Sequence, residues 1–312
     1  MAEHAFFICF PSEPEQLGTA IQSAARQFAA GGPSKVETWR QLDIPGRFLS
    51  ENILEKIDGA DFVVADITRL NFNVTFEVGY AIGRGKRIIL IVNEALRPEH
   101  KQITQLGIFD TIGYQNYSNS NELLTLLTST KDTSPLTLPT HEINRSAPIF
   151  ILDTLHKTDA SIRIISKVKK SRLRFSSYDP REQSRLSTLD AYKSVSESLA
   201  IIVTLLSNQA TDARFNNLRG AFLSGIAFGL DKNTLILQEA GDPVPLDYRD
   251  FVSIYKHPND VDRYINDLVP DVAEGLQTYS GSLPTSQGLL SGLDFGDPAA
   301  ENEATRLGRI LL

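Results

Sequence analysis

Two acidic residues in the stretch Asp66 to Ala81 stand where a surface carboxylate would not ordinarily be placed. Glu77 sits in Phe76-Glu77-Val78-Gly79-Tyr80-Ala81-Ile82, a helix-spaced segment with almost no polar face around the acid. Its nearest polar company is Asn73, four residues earlier, and Arg84, seven later. Burying an unpaired carboxylate costs on the order of several kcal/mol, so a glutamate in such company is kept for a task. A structural ion pair with Arg47, Arg69 or Arg84 is the alternative. Asp66 closes the apolar run Phe62-Val63-Val64-Ala65, and a strand-ending aspartate either meets a ligand or fixes the following loop. Phe10, Trp39 and Tyr80 are aromatic rings that either stack on a planar ligand or belong to the core. Gly79, Ala81 and Gly83 let their helix lie close against a sheet and leave room for such a ring.

These residues need a scaffold, and the hydrophobic pattern supplies one. Residues 5–12 form a short apolar strand ended at Pro11, and residues 14–30 carry apolar positions at helical spacing up to Gly31-Gly32-Pro33. Val36 to Trp39 fit a strand, Ile53 to Ile57 a helix, and 62–65 a buried strand. A helix over 73–84 and the strand Ile88 to Val92 follow. Strands alternating with helices through short loops predict parallel sheets covered on both faces. Ligands bind such sheets beyond the strands' carboxyl ends, where Pro11-Ser12-Glu13, Asp43 to Arg47 and Asp66 to Asn73 would gather.

The same order begins again after the polar stretch Ser129 to Ser146. Strands are expected at Pro148 to Leu152, Leu173 to Phe175, Leu199 to Leu206 and Thr234 to Leu237, with helices around Ile162 to Val168 and Leu218 to Gly229. Phe76-Glu77-Val78-Gly79-Tyr80-Ala81-Ile82-Gly83 lies over Phe222-Leu223-Ser224-Gly225-Ile226-Ala227-Phe228-Gly229, and Lys86 and Lys232 follow the two segments. The expected fold is therefore α/β, two tandem doubly wound parallel-sheet domains of the flavodoxin/TIR-like kind. Residues 1–140 form the first, 147–279 a degenerate second copy, and 280–312 a linker or the start of a further element. In the second copy Leu223 stands for Glu77 and Thr204 for Asp66. Arg214, Asn216, Asn217 and Arg219 there could hold a phosphate or carboxylate, but a solvated helix start is the expected reading.

The run Asp66-Ile67-Thr68-Arg69-Leu70-Asn71-Phe72-Asn73-Val74-Thr75-Phe76-Glu77-Val78-Gly79-Tyr80-Ala81, then Gly85-Lys86 and a strand, resembles the core motif of the nucleoside 2-deoxyribosyltransferase-like group, related in fold to TIR domains. The resemblance covers roughly residues 5–125. It implies that Glu77 attacks, or stabilises positive charge at, the sugar carbon bonded to the base. It implies that Asp66 holds sugar hydroxyls or the base, that Asn71 or Asn73 orients the substrate or caps the helix, and that Ser12 approaches sugar or phosphate. Phe10, Trp39, Arg47 and Tyr80 complete the expected substrate-binding set. The opening turn Phe10-Pro11-Ser12 departs from the pattern, since it lacks the glycine-rich loop of many relatives. Because TIR-like relatives with this glutamate deplete NAD in antiphage defence, NAD is the leading expected substrate and no separate cofactor is expected. The competing expectation is a nucleotide-sensing or TIR-like assembly module with no catalysis of its own.

Composition narrows the classes. A formal charge of −7 over 312 residues argues against general nucleic-acid binding. The single cysteine, Cys9, excludes a disulfide framework and a cysteine zinc site, and five scattered histidines give no metal spacing. Gly83-Arg84-Gly85-Lys86 follows a helix rather than a strand, the wrong setting for a phosphate loop, and is read as a helix C-cap. The chain opens on a strand with no signal peptide or long apolar stretch, which fits a cytoplasmic protein without membrane contact. Its partners are expected to be a nucleotide or nucleoside and further copies of itself, in a homo-oligomer. Its abrupt end fits a fragment of a longer chain.

Overall fold

The first strand, β1 (Ala5–Cys9), alternates its side chains between two helical layers, and the rest of the first half follows from that alternation. It is followed by α1 (Glu15–Ala30), β2 (Lys35–Thr38), α2 (Leu49–Gly59), β3 (Phe62–Asp66) and α3 (Phe72–Gly83). Then come β4 (Arg87–Asn93), α4 (His100–Leu106), β5 (Tyr114–Tyr117) and α5 (Ser120–Ser129). The second half runs β6 (Ile149–Leu152), α6 (Asp159–Lys170), β7 (Phe175–Tyr178), α7 (Thr188–Ser196), β8 (Ala200–Leu205), α8 (Ala213–Gly229), β9 (Asn233–Glu239), β10 (Val252–Tyr255) and α9 (Val261–Gly281). The computed structural model describes residues 4–42, 49–130, 134–244 and 248–281. Arg47 and the stretch 282–312 therefore lie outside the described residues. Contacts gather the chain up to Val272 into one compact unit and Ala273 onward into another, of which the end of α9 is described.

Both sheets have five strands, all parallel, in the equivalent orders β2-β1-β3-β4-β5 and β7-β6-β8-β9-β10. The protein is thus α/β, with two doubly wound domains consistent with the Rossmann/flavodoxin-like type. Register makes the equivalence of the halves concrete. Phe6 pairs with Phe62 as Ile149 pairs with Ala200, which places Thr204 at the position of Asp66. The strand equivalent to β2, β7, lies at Phe175–Tyr178 rather than Leu173 to Phe175, so Tyr178 occupies the place of Trp39. Among the described residues no helix is long and apolar enough to cross a membrane.

In the first sheet Phe6, Ile8, Phe62, Val64, Ile89 and Ile91 face α1 and α5. Their neighbours Phe7, Cys9, Val63, Ala65, Leu90 and Val92 face the other way, into a core that also contains Phe150, Leu152, Ile201 and Val203 from the second sheet. One helical layer therefore lies between the two sheets and is shared by them. At its centre α3 packs on α8 with glycine against backbone. A Cβ added to Gly79 would stand 2.4 Å from the Phe222 carbonyl oxygen, and one added to Gly225 would stand 2.1 Å from that of Phe76. Gly83 meets Gly229 in the same way. Every such contact recurs with the halves exchanged, as in a two-fold pair.

This corrects the sequence reading of Gly79 and Gly83. They admit the facing helix and do not open room for a ligand. Gly85, at φ +65°, makes the left-handed turn that takes the chain from α3 into β4.

Candidate active site

Glu77 lies on α3 with 4% of its surface exposed. It lines a small crevice together with, among the described residues, Phe10, Ser12, Trp39, Ile53, Asn71, Asn73 and Val74. Five of these were expected from sequence to bind substrate. They converge because β1 and β3 are adjacent while their connections run to opposite faces of the sheet, leaving a gap at the carboxyl ends. Phe10 follows β1, Trp39 follows β2, and Asn71 to Val74 open α3 after β3. The crevice holds about 60 Å³.

Local hydrogen bonds fix its walls. The Asn71 side chain accepts from the backbone N–H of Asn73 at 2.9 Å and of Val74 at 3.1 Å, capping α3. Of the two roles open to Asn71, capping is therefore filled, and it leaves Asn73 one turn before Glu77 on the crevice wall. Trp39 Nε1–H donates to the Phe10 carbonyl at 2.9 Å, which locks the ends of β1 and β2 together. Arg40, which the sequence did not single out, donates to the Ser12 carbonyl at 2.8 Å and lies over the rings of Phe10 and Trp39. A sequence signal existed only in its place directly after Trp39.

Two further groups hold the Glu77 carboxylate. The phenol of Tyr248 donates to Oε1 at 3.2 Å, and its ring stacks on Phe76 with centroids 4.2 Å apart. Tyr248 is fully buried and comes from the second half, in the segment joining β9 to β10. The mirror contact exists too: Phe109, from the segment joining β4 to β5, packs edge-on against Phe222. On the β1 side, the Cys9 thiol donates a hydrogen bond to Glu77. Burial first, then the charge and hydrogen bond of Glu77, push that thiol well above its ordinary value, so Cys9 is no nucleophile. The arginines considered as structural partners for Glu77 are engaged elsewhere where described: Arg69 with Glu99, Arg84 with Asp58 and Asp231.

Asp66 and Tyr80 do not join the lining. Asp66 is fully buried, accepts from the Thr68 N–H at 2.9 Å and from the Tyr117 phenol at 2.7 Å, and so ties β3 to its own loop and to β5. Tyr80 donates to Asp58 at 2.9 Å and accepts from Arg84, bracing α3 against α2 rather than stacking on a ligand. Burial drives the Asp66 carboxyl from 3.8 up to about 6, against the hydrogen bonds from Thr68 and Tyr117. Because the folded value stands above the unfolded one, this group favours the fold most below about pH 4 and loses that benefit as pH rises through 6. Asp66→Asn can keep both hydrogen bonds, accepting from Thr68 and donating to the Tyr117 oxygen. We expect it to be more stable than wild type by up to about 3 kcal/mol at pH 7.5, with the difference vanishing near pH 4. Urea denaturation at the two pH values checks this, and a difference independent of pH would refute it.

The position equivalent to Glu77 carries no carboxylate in the second half. Leu223, fully buried, replaces the glutamate, and Arg219 stands one turn before it, where Asn73 precedes Glu77. The expectation of a solvated helix start is wrong for three of its four residues. Asn217 bonds both the N–H and the carbonyl of Leu206, Asn216 bonds the Thr204 carbonyl, and Arg219 lies over Tyr178 and donates to the Ser184 carbonyl. All three are buried and staple α8 to its surroundings, and only Arg214 is exposed, paired with Glu99 at 2.6 Å. Among the described residues no cluster of His, Cys, Asp and Glu could hold a metal ion. No known protein-family model matches the chain, and no curated protein matches it.

Proposed function

We propose that the chain is an N-glycosidase that cleaves the bond between base and ribose in NAD or another nucleotide or nucleoside, acting as a defence or toxin effector. The observation that carries this reading is the meeting of Glu77 with Phe10, Ser12, Trp39, Asn71 and Asn73 in one crevice at the carboxyl ends of β1 and β3. Breaking an N-glycosidic bond builds positive charge on the sugar, and a carboxylate held beside the anomeric carbon stabilises that charge most in the transition state. Glu77 either attacks that carbon or shields the cation until water or a second base arrives. Nicotinamide departs neutral and needs no acid. Asn73 and Ser12 hold the sugar, and the rings of Phe10 and Trp39 take the base.

A nucleoside-sized ligand needs roughly 300 Å³, several times the present crevice, so those rings must part to admit it. Trp39 is the sole tryptophan of the chain, which makes its emission a one-site reporter. Titration with NAD and a nucleoside panel is expected to change Trp39 fluorescence saturably, and chromatography of the same mixtures to show free base. Saturable binding with no product from any of them would favour the nucleotide-sensing reading. No fluorescence response and no product would remove the crevice from consideration.

A further inference from the structure

We propose that the second half was retained as a built-in partner whose Tyr248 positions Glu77 for its work. This rests on the reading of Glu77 as the working carboxylate. The geometry is specific. Tyr248 has no exposure, its ring stacks on Phe76 with centroids 4.2 Å apart and lies 6.1 Å from the Phe251 ring, and its hydroxyl meets Oε1 of Glu77 at 3.2 Å. The α3–α8 packing brings Glu77 of one half within reach of a residue 171 positions away. A glutamate side chain has three rotatable bonds, so a donor fixed on one oxygen restricts how the other is presented to the crevice.

The mirror contact strengthens the assignment. Phe109 meets Phe222 edge-on where Tyr248 stacks on Phe76, but Phe109 has no hydroxyl and α8 carries Leu223 in place of a carboxylate. Aromatic packing recurs in both halves, while the hydroxyl occurs only where there is an acid to hold. Cys9, donating from β1, and Tyr248, donating from the second half, are titratable groups that face the carboxylate from two different elements.

Tyr248→Phe keeps the ring and removes the donor. In the full chain with carbon-labelled glutamate, the Glu77 carboxyl signal, assigned by its absence in Glu77→Gln, is followed through a pH titration. The titration midpoint is expected to move up by about one pH unit in Tyr248→Phe, because a donor to the charged form is lost. Tyr117→Phe removes an equally buried phenol–carboxylate bond at Asp66 and is expected to leave the Glu77 midpoint in place. Where a base-releasing substrate has been found, kcat is expected to fall about tenfold to a hundredfold with KM little changed. An unmoved midpoint in a folded Tyr248→Phe protein overturns the proposal even if wild type turns over and Glu77→Gln does not. A shifted midpoint with no turnover by wild type leaves the positioning intact and removes the glycosidase reading.

Discussion

Glu77→Gln is expected to lose base release by at least about a thousandfold while remaining folded. Glutamine keeps the shape of the side chain and its Oε1 can still accept from Tyr248, so the walls around it need not move. It cannot carry the negative charge that the oxocarbenium-like transition state requires. Removing one preorganised electrostatic partner from such a state costs on the order of 10²–10³ in rate, and losing a covalent route adds to that. Two measurements on one variant therefore separate the roles: product release per minute falls, and the urea midpoint shows whether the fold is kept. Turnover that survives the substitution would remove Glu77 from the chemistry. Lost turnover together with a collapsed fold would mark Glu77 as a structural residue.

Much of this arrangement was legible in the residues themselves. Buried parallel strands announce themselves as unbroken apolar runs, so β1, β3, β4, β6 and β8 could be read directly, and the loops at their carboxyl ends were where a candidate site was to be sought. The repeat was legible because Phe, Gly, Ala and Gly recur at matching steps in α3 and α8. What stayed hidden was whatever depends on the other half. Tyr248 is one tyrosine in the segment between β9 and β10, and nothing local tells that its hydroxyl ends on a residue of α3. Gly79 and Gly83 signal a close approach, yet spacing cannot say whether a ligand, a sheet or another helix approaches. Asp66 was overread for a related reason: the end of a strand beside a crevice looks the same in sequence whether the side chain turns outward or, as here, inward to Thr68 and Tyr117. The short edge strands β5 and β10 also escaped, since Tyr114–Tyr117 is mostly exposed and carries no apolar run.

The α3–α8 seam supplies the largest expected effect on stability. Gly225→Ala places a methyl group 2.1 Å from the Phe76 carbonyl oxygen and 2.8 Å from the Tyr80 N–H nitrogen, both backbone atoms that cannot swing aside. Gly79→Ala meets the Phe222 carbonyl at 2.4 Å. In an exposed helix either change would help by about 1 kcal/mol through helix propensity. Here the helices must separate instead, and the shared core between the two sheets opens with them. Each single variant is expected to lose about 3 kcal/mol or more, and the double variant less than the sum, because one separation relieves both clashes. Gly59→Ala, at the end of α2 where an added Cβ meets nothing within 4 Å, is the control and should stay within about 1 kcal/mol of wild type. The seam also carries Tyr248 to Glu77, so a seam variant that remains folded should show the Glu77 titration of Tyr248→Phe without any change at Tyr248 itself. Seam variants as stable as wild type would mean that the halves are not held glycine to backbone. The route by which the second half reaches the carboxylate would then be lost.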